Sequence, residues 1–175
     1  MSSRRRAREA ALQILFGLDW QASPTDFALS DYWARFAGEL PAAYDEVRRH
    51  CAELVVGVRH NLAAIDLHLQ ASTHNWKLDR MSAVDRNILR LAAFELLFAA
   101  EQVPQKVAIN EAIEVAKKFG NEDSSVFVNG ILDRIAHETG AVPSKAKKPF
   151  GKTVKPKSAA AKSSPAAAPS KGDST

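Results

Sequence analysis

Apolar residues recur along this chain at spacings of three and four, the rhythm of helices. Ile109, Ala112, Ile113 and Ala116 fall at i, i+3, i+4 and i+7, and Val128, Ile131, Leu132 and Ile135 repeat the pattern. Each set puts its apolar side chains on one helical face. Pro104 can open the first of these two helices, where its missing N–H costs nothing. Gly120 is expected to end it in the left-handed conformation that glycine adopts without strain. Asp123 or Ser124 caps the second, and Gly140 closes it. Earlier in the chain, Ala7, Ala10, Ala11, Ile14, Leu15 and Leu18 share a face of a helix that begins after Ser2 or Ser3. Ser23-Pro24 interrupts it, and Phe27, Trp33 and Phe36 mark a short amphipathic segment ending near Gly38. Val47, Cys51, Leu54, Val58, Leu62, Ile65 and Leu69 predict one long helix from Pro41 to about Gln70.

A joint follows at Ala71–Asp79, containing His74, Asn75 and Trp76. Ser82 with Asp85 then resembles a capping box, with Asp in place of the usual Glu or Gln. Ile88–Ala100 is apolar except for Arg90 and Glu95, and a helix apolar nearly all round is central and buried. Its two charges are poorly spaced to face each other within the helix, so their partners must lie on other elements. No stretch carries the alternation of a strand. The expectation is an all-α protein of about six or seven helices.

Charge divides the chain into three parts. Of the net +4, residues 1–10 contribute +3, residues 141–175 contribute +7, and the body between them carries −6. Nucleic-acid affinity must therefore come from the ends and from local patches. After Gly140 the composition turns to Lys, Ala, Ser and Pro. Residues 141–175 are expected to be a disordered tail, because they hold too little apolar surface to offset the entropy of ordering. A lone cysteine, Cys51, excludes an internal disulfide and a thiolate cluster. It sits on a core stripe, a poor place for a nucleophile. No segment has the length and flanks of a membrane span or a cleaved signal, and the cytoplasm is the expected location.

Catalytic constellations do not emerge. None of His50, His60, His68, His74 and His137 pair at the i, i+4 spacing of a helical zinc site, and there is no phosphate-binding glycine loop. Glu111 and Glu114, three apart, read as a solvated face. These features indicate a binding protein with no metal and no cofactor.

Four features suit binding. Arg4, Arg5, Arg6 and Arg8 crowd the first turns of a helix, where cations oppose the macrodipole. They form either a phosphate clamp or a solvated, frayed terminus. Lys106, Asn110, Asp123, Ser124 and Asn129 line the Gly120 joint and the faces beside it. Phe127, between Val126 and Val128, is either a stacking platform for an unpaired base or a packing contact. Asn129-Gly130 lies inside a helix, where glycine permits a close crossing or a close approach by RNA. Asp85-Arg86 opens the buried helix.

The stretch VPQKVAINEAIEVAKKFGNEDSSVFVNGILDRIA, together with VDRNILRLAAFEL before it and the arginine-rich start, closely resembles the NusB family of bacterial transcription antitermination factors. The resemblance covers most of residues 4–136. It implies two small helical bundles packed into one domain, residues 1–140. It further implies an adaptor that binds boxA, a short single-stranded element of ribosomal RNA leader transcripts. The adaptor does so with a small ribosomal subunit protein that doubles as NusE, within the RNA polymerase antitermination complex. Arg4, Arg5, Arg6, Arg8, Lys106, Asp123, Ser124, Phe127 and Asn129 map onto the family's RNA surface. Asp85 and Phe16 map onto its NusE surface. Gln105 stands where the family often has an aromatic, and Ser125-Val126 replaces a more polar or basic pair. Either a monomer or a homodimer fits the sequence.

Two rivals differ in class. One is the N-terminal part of an rRNA cytosine methyltransferase, for which this chain leaves no room for a methyl-donor domain. The other is a helix-turn-helix DNA binder at the Gly120 joint, whose second helix is poor in basic residues near its start.

Overall fold

The computed structural model describes residues 2–36, 44–73 and 77–138. Seven α-helices account for most of them: α1 (Ser3–Trp20), α2 (Thr25–Phe36), α3 (Asp45–His60), α4 (Leu62–Ser72), α5 (Ala83–Phe98), α6 (Gln105–Phe119) and α7 (Ser124–Glu138). One 3-10 turn, Leu78–Arg80, precedes α5. No strand occurs among the described residues, as the sequence pattern predicts. Gly38, Pro41, the joint residues 74–76, Gly140 and the expected tail lie outside the described residues.

The helices form two small bundles, α1–α3 and α4–α7. They meet on α5, which packs against α1, α3, α4, α6 and α7. The composition of α5 explains that position: Ile88, Leu89, Leu91, Ala92, Ala93 and Leu96 are buried, so its apolar surface runs most of the way round the axis. Both of its internal charges find partners on other helices. Arg90 forks Asp66 of α4 through Nε and Nη2, each at 2.8 Å, and reaches Asp19 of α1 at 3.3 Å. Glu95 is bound by Arg8 of α1. Asp19 also accepts from Arg86 at 3.0 Å and Asn87 at 2.8 Å, which fixes the end of α1 against the start of α5.

The long helix expected from Pro41 to Gln70 is instead two helices, broken at Asn61. Asn61 has φ −105° and ψ 14°, and both its N–H and its Nδ2 donate to the Gly57 carbonyl, at 3.1 and 2.8 Å. Its own carbonyl accepts from Ile65 N–H at 2.9 Å and starts α4. A break this short leaves the apolar spacing unchanged, so Val47, Cys51, Leu54, Val58, Ile65 and Leu69 are all buried across it, and Leu62 partly. Of the second segment's aromatics, Trp33 packs on the core, whereas Phe27 is exposed. At the far end of the C-terminal bundle, Arg134 of α7 donates to the Ser72 carbonyl at 2.7 Å and satisfies the last turn of α4.

Candidate nucleic-acid interface

Ser2 caps α1, its hydroxyl accepting from Arg5 N–H at 3.3 Å. The arginines that follow meet four different surroundings. Arg8 is 4% exposed and Glu95 is 1% exposed. Nε and Nη2 of Arg8 donate to the Glu95 carboxylate at 2.9 and 2.6 Å. The surface role expected of Arg8 therefore gives way to an internal one: it ties α1 to α5 beneath the face that the other arginines share. The reason lies in its spacing, because Arg8 shares a stripe with the buried Leu12 and Leu15.

Arg5 is half-engaged. Its Nε and Nη2 donate to Glu111 of α6 at 2.9 and 2.8 Å, and Nη1 lies 3.8 Å from Glu114. This bidentate bond holds the Arg5 pKa up and the Glu111 carboxyl below its ordinary range. Glu111 and Glu114 are thus not a simply solvated face. One anchors the arginine helix, and the other also accepts from Lys117 at 2.8 Å. Arg6 is exposed and donates from Nη1 to the Tyr44 hydroxyl at 3.0 Å. Arg4, also exposed, lines a groove with Ser2, Gln102, Val103, Pro104, Val107 and Glu111.

The second half of the face is the α6–α7 hairpin. Pro104 is the N-cap of α6, one position earlier than expected. Lys106 is exposed in the first turn, with Asn110 exposed one turn on. Gly120 is extended, at φ −86° and ψ −173°, and not left-handed. It is needed for space: a Cβ there would run into the Ser124 side chain and the Ala116 carbonyl. Ser124 is 1% exposed. Its hydroxyl accepts from Asn121 N–H at 2.9 Å and donates to Asn121 Oδ1 at 3.0 Å. Ser124 therefore closes the joint from within, where burial removes it from a direct part in binding. Asp123 is exposed; its backbone carbonyl accepts from Phe127 N–H at 3.0 Å.

In the run of three apolar residues, Val128 is fully buried, Phe127 is partly buried against the core and Val126 is 61% exposed. Asn129 Nδ2 donates to Asp133 at 3.3 Å. Gly130 faces open space, so the close helix crossing expected there is absent. The hairpin is tied to α1 twice, by Arg5 on Glu111 and by Lys118 Nζ on Glu9 at 2.6 Å. Segments about a hundred positions apart in the sequence are thereby joined into one surface.

Sequence reasoning missed Tyr44, Glu9 and Lys118. Nothing in the periodicity marks Tyr44, which sits at the N-cap of α3. The opposite charges of Glu9 and Lys118 were visible, but not their pairing.

A second face lies at the other end of α1. Phe16 is 38% exposed and Trp20, one turn on, is 76% exposed, their ring centroids 6.2 Å apart. Asp85, on the α5 start to which Asp19 is tied, is buried. Ser82 Oγ accepts from its N–H at 3.0 Å and donates to its Oδ2 at 2.8 Å. The expected capping box is therefore a one-residue loop of bonds centred on the serine.

This chain is 50% identical over 137 residues to transcription antitermination protein NusB of Anaeromyxobacter dehalogenans, covering 78% of this chain and 92% of that one. Its fold matches a solved structure of T. maritima NusB with a TM-score of 0.68 at 40% identity, covering 77% of this chain and 91% of the other. A second solved structure holds antitermination factors NusB and NusE in complex with double-stranded RNA. That chain shares the fold at a TM-score of 0.66 and 24% identity, over 79% of this chain and 98% of its own length. The sequence pattern of the NusB family matches residues 5–137. With the arginine helix, the central α5 and the α6–α7 hairpin arranged as described, the chain belongs to the NusB family.

Proposed function

We propose that this chain is a transcription antitermination factor that works by assembly, without chemistry of its own. It binds boxA-type single-stranded RNA of ribosomal RNA leader transcripts together with the small ribosomal subunit protein that acts as NusE. The joined complex then lets RNA polymerase read through terminators. The observation that carries this reading is the joining of α1 to the α6–α7 hairpin through Arg5–Glu111 and Glu9–Lys118. That contact unites the two segments whose motifs resemble the family's RNA surface.

Within that surface, Arg4, Arg6 and Lys106 are the exposed cations, and Arg5 keeps three N–H donors beyond those spent on Glu111. Asp123, Asn129 and the partly buried Phe127 extend the surface along α7. Arg8 and Ser124 act from below, as positioning residues. Single-stranded RNA suits such a surface because its base edges and faces are free. Phe16 and Trp20 form the face for the ribosomal protein, with Asp85 shaping it through the cap of α5. The acidic body draws a basic partner. A cytoplasmic location follows from this role.

The test is fluorescence anisotropy at fixed physiological salt, with a labelled boxA-like RNA, a scrambled RNA of equal length and a double-stranded RNA, each with and without the ribosomal protein. Preference for the boxA-like strand, strengthened by the protein, is the expected result. Equal affinity for all three RNAs would reduce the basic residues to nonspecific charge and overturn the reading.

A further inference from the structure

Arg6 differs from its neighbours in how it is held. Arg8 is buried against Glu95 and Arg5 is gripped by Glu111, whereas Arg6 has no carboxylate partner among the described residues. It is fixed by an aromatic residue. Nη1 donates to the Tyr44 hydroxyl at 3.0 Å, and Cζ stands over the Tyr44 ring, 5.4 Å from its centroid. Tyr44 is itself partly buried against the core at the N-cap of α3, so the support is rigid.

An arginine needed only as a counterion gains nothing from such a hold, since a charge neutralises phosphate from many rotamers. A hold at two points matters when the orientation of the guanidinium plane matters. Ordering that plane before binding removes a cost that would otherwise fall on the complex. Tyr44 occupies one side of the group, and the exposed side is left open.

We propose that Arg6, held by Tyr44, is a planar stacking platform for an unpaired base of the bound RNA, with Tyr44 as its positioning residue. The proposal rests on the RNA-binding reading above and adds to it a base contact outside the family motifs. Arg guanidinium planes stack on bases, and a lysine at the same place would supply the charge without the plane.

The experiment uses the full chain and a labelled boxA-like single strand, titrated by anisotropy across a range of salt. Arg6→Lys is expected to weaken binding by roughly fivefold while leaving the salt slope unchanged, because the charge remains. Arg6→Ala should weaken it further and flatten the slope by about 0.7, the loss of one phosphate contact. Tyr44→Ala should reproduce the Arg6→Lys loss. Tyr44→Phe, which keeps the ring and drops the hydroxyl, should stay within roughly twofold of wild type.

Wild-type affinity in Arg6→Lys or in Tyr44→Ala would overturn the platform. A drop in slope for Arg6→Lys would overturn it as well. Thermal melts by circular dichroism accompany each variant. If Tyr44→Ala melts early, the exposed Arg6→Lys decides alone. Failure of the wild type to prefer boxA-like RNA over a scrambled strand defeats the antitermination reading, and the Arg6→Lys comparison on the scrambled strand still decides the platform.

Discussion

At the scale of the residue, identical side chains in one run divide into different tasks because each faces a different neighbour. Arg8 is the clearest case. Its stripe position beside Leu12 and Leu15 was readable, since position 8 shares the spacing of residues that turn out buried. Its partner was not readable, because Glu95 lies 87 positions away. That Glu95 needed a cation was legible from its place in an apolar helix; which cation was a matter of tertiary structure. A buried ion pair of this kind is costly to break and cheap to replace. Arg8→Ala should destabilise the chain by about 3–5 kcal/mol, as it strands a carboxylate in the core. The double variant Arg8→Met with Glu95→Leu should recover most of that loss. Urea denaturation followed by circular dichroism measures both, and equal losses in the two variants would show that packing, not charge, dominates the site.

His50 extends the residue scale to pH. It is 8% exposed, with Nδ1 3.3 Å from Glu53 of its own helix, and its Nε2 is buried without a hydrogen-bond partner among the described residues. Arg4 and Arg8 of α1 and Glu95 of α5 act on it across the interface. Burial is the main force pushing its pKa below the ordinary 6.5. A base whose pKa is lower in the folded chain is neutral there while the unfolded chain takes up the proton. Stability from this group is therefore complete above 6.5 and falls as the pH drops from 6.5 toward the lower folded value. The thermal midpoint of His50→Gln should vary less than wild type between pH 7 and roughly pH 5. Parallel curves for the two proteins would remove His50 from the acid response. Cys51, fully buried on the same helix with its thiol pushed up to about 12, stays protonated throughout that range.

At the scale of the element, periodicity served well where a face is buried and poorly where a helix ends. The stripes of α1, α3, α5, α6 and α7 were legible because three and four spacings report directly which side meets the core. The break at Asn61 was not, since the stripe passes through it in register. Gly120 was read correctly as a terminus and wrongly as left-handed, because crowding from Ser124, not backbone conformation, is what glycine relieves there.

Two glycines inside helices give opposite expectations from the same substitution. A Cβ at Gly57 would fall within the ring of Phe94, on the line where α3 meets α5. Gly57→Ala should cost about 1–3 kcal/mol through overpacking. Gly130 in α7 has nothing within 4 Å of such a Cβ. Gly130→Ala should stabilise by up to about 1 kcal/mol through helix propensity alone. Urea denaturation midpoints of the two single variants check the pair. Destabilisation by Gly130→Ala would mean that the helix is constrained at that point by something other than packing.

At the scale of the whole molecule, the organising fact is that α1 serves two faces at its two ends. Its start carries Arg4, Arg5 and Arg6 beside the hairpin, and its end carries Phe16 and Trp20 beside the start of α5. The bonds from Asp19 to Arg86, Asn87 and Arg90 hold that second end in place without using either ring. The proposed RNA and protein surfaces should therefore be separable by mutation. Exposed aromatic residues carry a large share of protein-interface energy when buried by a partner, commonly 2 kcal/mol or more for a hot spot. Phe16→Ala with Trp20→Ala should weaken the ribosomal protein by about 30-fold or more and leave the affinity for boxA-like RNA alone unchanged. Calorimetric titration with the protein and anisotropy with the RNA measure the two arms. Asp85→Lys is the contrasting variant: it places a cation at a buried cap bonded to Ser82, so it should lower stability and reduce both affinities together. If the aromatic pair behaved like Asp85→Lys, the two ends of α1 would form one cooperative surface. If it left partner binding intact, the exposed rings would need another occupant.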